Sequence, residues 1–269
     1  MTLTYSIADV APYINWLYFD HAWGMSGKPD TERQQLRREA GERLSRYGDR
    51  YHARALFQLF DCYSEEEDIV LRGDTALRDN GETRIPCLRQ QQQGSEYLCL
   101  ADFVSPKGDQ IGLFATTVDT AMVADFEDDP YEKMMMQLIA DRVAEATAEL
   151  LHEQVRKTFW GYAADEQLTI AEMQQERFQG IRPAVGYPSL PDTSLNFVLD
   201  AILGFSQIGI RLTESGAMRP HASVSGLMLA HPQARYFSIG KIGDDQLHDY
   251  AQRRGIPVEL MRKFLTPNL

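Results

Sequence analysis

The 269-residue chain has few cysteines, and they do not pair by spacing: Cys62, Cys87 and Cys99 form no Cys-x-x-Cys motif and no even set. That excludes a disulfide scaffold and predicts buried free thiols in a reducing, cytoplasmic setting. Glycine-rich signatures are missing too. There is no Gly-x-Gly-x-x-Gly, no phosphate loop ending in Lys-Ser/Thr and no Gly-x-Ser-x-Gly. An adenosine ligand would therefore not be held by the usual strand–glycine–helix arrangement, and a hydrolase nucleophile elbow is absent. The six histidines, His21, His52, His152, His221, His231 and His248, stand far apart with no metal-ligand spacing,. The most apolar stretch, Leu195–Phe205, is short and interrupted by Asp200, and no positively charged start precedes an apolar run. A membrane span and a signal peptide are not expected. Positive charge is also scarce. Lys and Arg number 27 against 39 Asp and Glu, a net charge of −12, which argues against a nucleic-acid surface,. The basic residues of Arg33–Arg46 alternate with acids, as on a solvated helix face.

What is present suits a globular α+β protein. Hydrophobic residues make up 43% of a chain long enough to bury a substantial core,. Residues 1–269 show no repeat and no linker that would separate two domains, so one domain is expected. The start reads helical, over Ile7–Met25 and then Thr31–Tyr47, where Thr31 and Gln34 have capping-box spacing,. Short β-prone runs follow at Ala55–Phe60, Asp68–Leu71, Thr83–Leu88, Tyr97–Val104 and Ile111–Val118. Their close spacing favours antiparallel pairing. Tyr131–Phe159 reads as one long helix with Ile139, Val143, Ala146 and Leu150 on one face and Asp141 and Glu145 away from it,. A second helix is expected over Thr169–Gln179, capped by Thr169 and Glu172 and stopped by Gly180. Another follows Asp192 or Thr193, with Leu195, Val198, Leu199 and Ile202 inward and Gly204 at its end. Strands return at Gly209–Ser215, Ser223–Ala230 and Tyr236–Ile242. Helices over Asp244–Arg253 and Pro257–Phe264 close the chain, Pro257 suiting a first turn. The expected architecture is a twisted antiparallel sheet with helices grouped at its ends.

The most informative segment is Gln179–Asp192, which places three prolines, two glycines, an arginine and a tyrosine between helix-like stretches. Pro183 and Pro188 fix φ and remove donors, while Gly180 and Gly186 open conformations closed to other residues. A stiff, non-repetitive loop holding Arg182 and Tyr187 suits a small, planar, anionic ligand. Arg182-Pro-Ala-x-Gly-Tyr-Pro188 resembles the signature of the S-adenosylmethionine-binding reactivation domain of cobalamin-dependent methionine synthase. Other segments match that family in order: Tyr13-Ile-Asn-Trp16 with Trp23 and Gly27-Lys28, Leu88-Arg-Gln-Gln91, and Cys99-Leu-Ala-Asp-Phe-Val104. Asp141 through Ala146, Phe159 through Ala163, Leu212-Thr-Glu-Ser215, Ala222-Ser-Val-Ser-Gly226, His231-Pro232, Tyr236 and Pro267-Asn-Leu269 complete a resemblance that spans nearly the whole chain.

The resemblance implies S-adenosylmethionine as ligand, with cobalamin contacted on a partner domain or chain. Arg182 suits the ligand carboxylate, because a guanidinium donates two parallel hydrogen bonds. Ala184 would present backbone groups. Tyr187 and Tyr236 would place flat faces and hydroxyls around the nucleoside. Phe237 stands where the family commonly has another tyrosine, so a hydroxyl contact is lost there. The sulfonium would meet Glu145 and, in the family, an Asp at position 15. This chain has Asn15, which deletes a charge and is expected to weaken binding. Glu176 is a further candidate for the polar end. The implied activity is that of a methionine synthase (methyltransferase) activation domain. It would support reductive remethylation of oxidised cob(II)alamin but not turn over homocysteine alone. A corrinoid-binding module and a flavodoxin-like electron donor are the implied partners, the latter docking on a local basic patch against the acidic chain. The competing expectation is a non-catalytic S-adenosylmethionine sensor or partner-binding subunit.

Overall fold

The computed structural model describes residues 1–73, 82–91, 94 and 96–269; Gln92 and Gln93, part of the short glutamine run Gln90–Gln93, lie outside them. The chain opens with β1 (Thr2–Ser6), α1 (Ile7–Val10), α2 (Trp16–Ala22) and α3 (Asp30–Tyr47). The strands β2 (His52–Glu65), β3 (Asp68–Arg72), β4 (Glu82–Pro86) and β5 (Asp109–Val118) follow. Then come α4 (Ala121–Ala124), α5 (Pro130–Gln154), α6 (Ile170–Met173) and α7 (Leu195–Leu203). The strands β6 (Arg211–Leu212), β7 (Met218–Arg219) and β8 (Ser223–Met228) precede α8 (Asp244–Arg254) and α9 (Val258–Phe264).

The long strand β2 organises a six-stranded sheet in which every registered pair is antiparallel. One side of β2 carries β5 from Ala53 to Cys62. The other side carries β1 against residues 52–56 and β3 against residues 62–65. β4 extends the sheet beyond β3, and β8 extends it beyond β5. Alternation along β2 and β5 feeds two cores. Ala53, Ala55, Phe57, Phe114 and Val118 pack with α5, α3 and α1. Leu56, Phe60, Ile111 and Leu113 pack with α7 and Ile181 on the opposite side,. The fold class is therefore the expected mixture of an antiparallel sheet and helices.

The expected stripe Ile139, Val143, Ala146 and Leu150 of α5 is buried, and Gly204 ends α7 in the left-handed conformation. All three cysteines are free and buried. Several boundaries differ from expectation, each for a local reason. The first helix divides at Pro12 and Asn15, where Asn15 caps α2 by accepting the Leu17 N–H at 3.1 Å,. The Thr31 capping box does not form, because α3 starts one residue earlier behind Pro29. Tyr97–Val104 is not a strand. Asp102 accepts the Cys99 N–H at 2.8 Å and winds Leu100–Phe103 into a 3-10 turn,. Thr169 and Glu172 do form their box, yet α6 ends at Met173 and not at Gly180. Asp192 accepts the Ser194 N–H before α7, and Ser194, not Asp192 or Thr193, occupies the cap position. The strand expected over Gly209–Ser215 shrinks to Arg211–Leu212. Tyr236–Ile242 joins no ladder; the Ile239 N–H goes to Pro188 O and the Ile242 N–H to Asn268 O. Pro257 stands at the cap of α9, just before its first turn.

Candidate functional site

The first half of the Arg182 loop is less irregular than its prolines suggest. Ile181–Val185 runs antiparallel along the outer side of β8. Ile181 and Leu229 exchange both backbone hydrogen bonds at 2.9 Å, Leu227 N–H donates to Pro183 O at 3.0 Å, and Val185 N–H donates to Ser225 O at 2.9 Å. Strand alternation then turns the Arg182 and Ala184 amides away from β8. Gly226 permits the approach: a Cβ there would lie 2.2 Å from Pro183 O. Gly180, at φ +84°, similarly lets the chain pass Leu229 O, which a Cβ would meet at 2.3 Å,. Beyond Val185 the chain turns tightly, with Gly186 N–H on Leu190 O and Leu190 N–H on Tyr187 O. Pro188 O accepts the Ile239 N–H at 2.9 Å, which brings Tyr236 and Phe237 alongside.

Between this loop, α5 and the turn before α2 lies a cleft of about 540 Å³, within the range of small-molecule sites,. Every site residue expected from the sequence lines it: Arg182, Ala184 and Tyr187 on the loop, Tyr236 and Phe237 beside it, Glu145 on α5, Glu176 after α6 and Asn15 at the start of α2. The Tyr236 hydroxyl accepts the Arg182 N–H at 2.9 Å. Tyr187 O–H donates to Glu145. Burial, with the Glu145 charge second, pushes the Tyr187 hydroxyl pKa up. Burial also raises that of Tyr236, so both phenols stay neutral. Glu176 has φ 57°, unusual for a residue with a Cβ, and burial raises its carboxyl pKa,.

Glu149 was not anticipated. It stands four residues after Glu145 on the same face of α5 and is the ion-pair partner of Arg182,. That spacing was the available signal. Arg142, three residues before Glu145, also lines the cleft. Burial opposes the Arg182 charge, but Glu149, Tyr236 and Glu145 outweigh it and raise the guanidinium pKa. The pairing is incomplete. Arg182 Nε and Glu149 Oε1 are both buried without a hydrogen-bond partner.

The wall behind Phe178 is built from charge. The fully buried Arg156 lies 4.3 Å from the Phe178 ring centroid and grips Glu166 through Nε (2.9 Å) and Nη2 (2.6 Å). His152 meets the same ring edge-on at 4.9 Å. Burial, then the Arg156 and Arg182 charges, hold His152 neutral, its pKa well below the usual histidine value,.

Such a cleft can bind a small zwitterion between a guanidinium, carboxylates and aromatic faces. The sequence profile of the vitamin B12-dependent methionine synthase activation domain matches residues 6–255. A crystal structure of the MetH reactivation domain bound to AdoHcy is similar, with a TM-score of 0.91 and 37% sequence identity; the match covers 100% of this chain and 90% of that one. With the sheet, the Arg182 loop and the profile in agreement, this chain belongs to the activation-domain family of vitamin B12-dependent methionine synthase.

Proposed function

We propose that residues 1–269 act as one unit that binds S-adenosylmethionine in the Arg182 cleft. There it supports reductive remethylation of oxidised cobalamin held by a corrinoid-binding module, with a flavodoxin-like protein as electron donor. The observation that carries the reading is Arg182 itself, rooted on β8 and facing a cleft with its Nε buried and unpaired. A buried donor without a partner costs about 1–3 kcal/mol, and a ligand carboxylate would satisfy it. The buried, unpartnered Glu149 Oε1 offers the converse to an ammonium. The donor set thus fits an amino-acid head, and Tyr187, Tyr236 and Phe237 supply faces for a nucleoside,. That the similar MetH domain was crystallised with AdoHcy supports the same ligand class.

When bound, S-adenosylmethionine supplies the methyl group. The chain's own task is positioning. Arg182 would fix the head, while Glu145 places negative charge near the sulfonium and keeps Tyr187 in place. No side chain is assigned an acid–base step.

Mixing the chain with oxidised corrinoid protein, S-adenosylmethionine and a reductant tests this. The expected result is the methylcobalamin spectrum. Arg182→Ala should abolish it, and Arg182→Lys, which keeps a cation opposite Glu149, should lose most of it. Ligand binding with no corrinoid partner and no spectral change would overturn the reactivation role in favour of a sensor.

A further inference from the structure

The empty half of the Arg182–Glu149 pair points to a second recognition element. Resting on the ligand reading above, we propose that Glu149 receives the α-ammonium of the bound amino-acid head, so that the cleft selects a zwitterion over a plain carboxylate. Arg182 Nη2 already donates to Glu149 Oε2, yet the remaining oxygen of Glu149 and the Nε of Arg182 are buried without a hydrogen-bond partner. An acceptor and a donor left unsatisfied within one ion pair complement a group that carries both a cation and an anion on one carbon. A carboxylate alone would fill only the Arg182 side.

Three glutamates line the cleft, and Glu149 is the one that fits. Glu145 is engaged by the Tyr187 hydroxyl. Glu176 sits on left-handed backbone where burial disfavours its charge. Among the described residues, Glu149 is the only glutamate with a buried oxygen lacking any partner.

The experiment compares S-adenosylmethionine with an analogue whose side chain keeps the sulfonium and carboxylate but lacks the amino group. Calorimetry on the unaltered chain should show the analogue binding about tenfold or more weaker. Glu149→Gln should cut affinity for S-adenosylmethionine by about 10- to 100-fold while changing that of the analogue less than about threefold. Glu149→Asp, which keeps the charge, should retain the preference. Equal affinities on the unaltered chain would overturn the proposal without any variant. Equal losses for both ligands in Glu149→Gln would also overturn it, leaving Glu149 as a support for Arg182. If the unaltered chain takes up neither ligand, the underlying ligand reading fails as well.

Discussion

The Tyr236 hydroxyl lies 2.9 Å from the Arg182 backbone nitrogen and accepts its N–H. Ile181 and Pro183 bond to β8 on one side, so this amide has to find its acceptor on the other. Tyr236 thus holds the arginine in place as well as presenting a ring to the cleft.

Tyr236→Phe keeps the ring and removes the acceptor. Leaving a buried N–H unpaired costs about 1–3 kcal/mol, so the unfolding midpoint in urea should fall and S-adenosylmethionine affinity should drop by about 5- to 100-fold. Calorimetry with unchanged affinity would show that Arg182 is fixed without Tyr236.

Asn15→Asp should improve the ligand site at little structural cost. Asn15 already caps α2 through Leu17 N–H, and aspartate caps equally well and suits a helix N-terminus,. The added negative charge would face the proposed cationic ligand, and a gain of about 1–2 kcal/mol, or about 5- to 30-fold, is expected. Equal dissociation constants for the two chains would remove the idea.

Gly226→Ala should separate the Arg182 loop from the sheet. The new Cβ would fall 2.2 Å from Pro183 O and 2.8 Å from the Ala184 Cα, both backbone atoms with no rotamer to yield. Overpacking of this kind costs about 1–3 kcal/mol or more. Hydrogen exchange should show faster exchange at Leu227 and Val185, whose N–H groups bridge the two segments. Unaltered protection there would contradict the close packing.

Acid stability should carry the mark of His152. In the fold its pKa lies well below 6.5, so it stays neutral, whereas the unfolded histidine takes up a proton below that value. The unfolded state then binds more protons, and stability falls as pH drops from 6.5 by up to about 1.4 kcal/mol per pH unit,. His152→Gln does not titrate and should flatten the slope between pH 6.5 and about 5, measured by urea unfolding at each pH,. Identical slopes in the two proteins would rule out this origin.

The site was more legible than its frame. Composition marks the loop of Arg182, Tyr187 and their prolines as stiff, the family resemblance makes it a ligand loop, and the spacing of Ile139, Val143 and Ala146 fixes which face of α5 turns inward. Glu149 escaped notice because Arg182, the residue that gives it meaning, is far away in sequence. The strand-like course of Ile181–Val185 was hidden by Pro183, which lacks a donor but still accepts from Leu227,. Tyr97–Val104 and Tyr236–Ile242 look β-prone because they are apolar and aromatic. A side-chain cap claims the first, and in the second the carbonyls of Pro188 and Asn268 take the Ile239 and Ile242 amides; neither competitor shows in local propensity,.

The pairing of Ile181–Val185 with β8 has a consequence for the free protein. Without that segment, β8 would present open donors and acceptors along a sheet margin, a template for joining other chains. The segment that lines the cleft on one side thus shields the margin on the other. A substitution that lets the segment lift away would expose that margin and promote self-association.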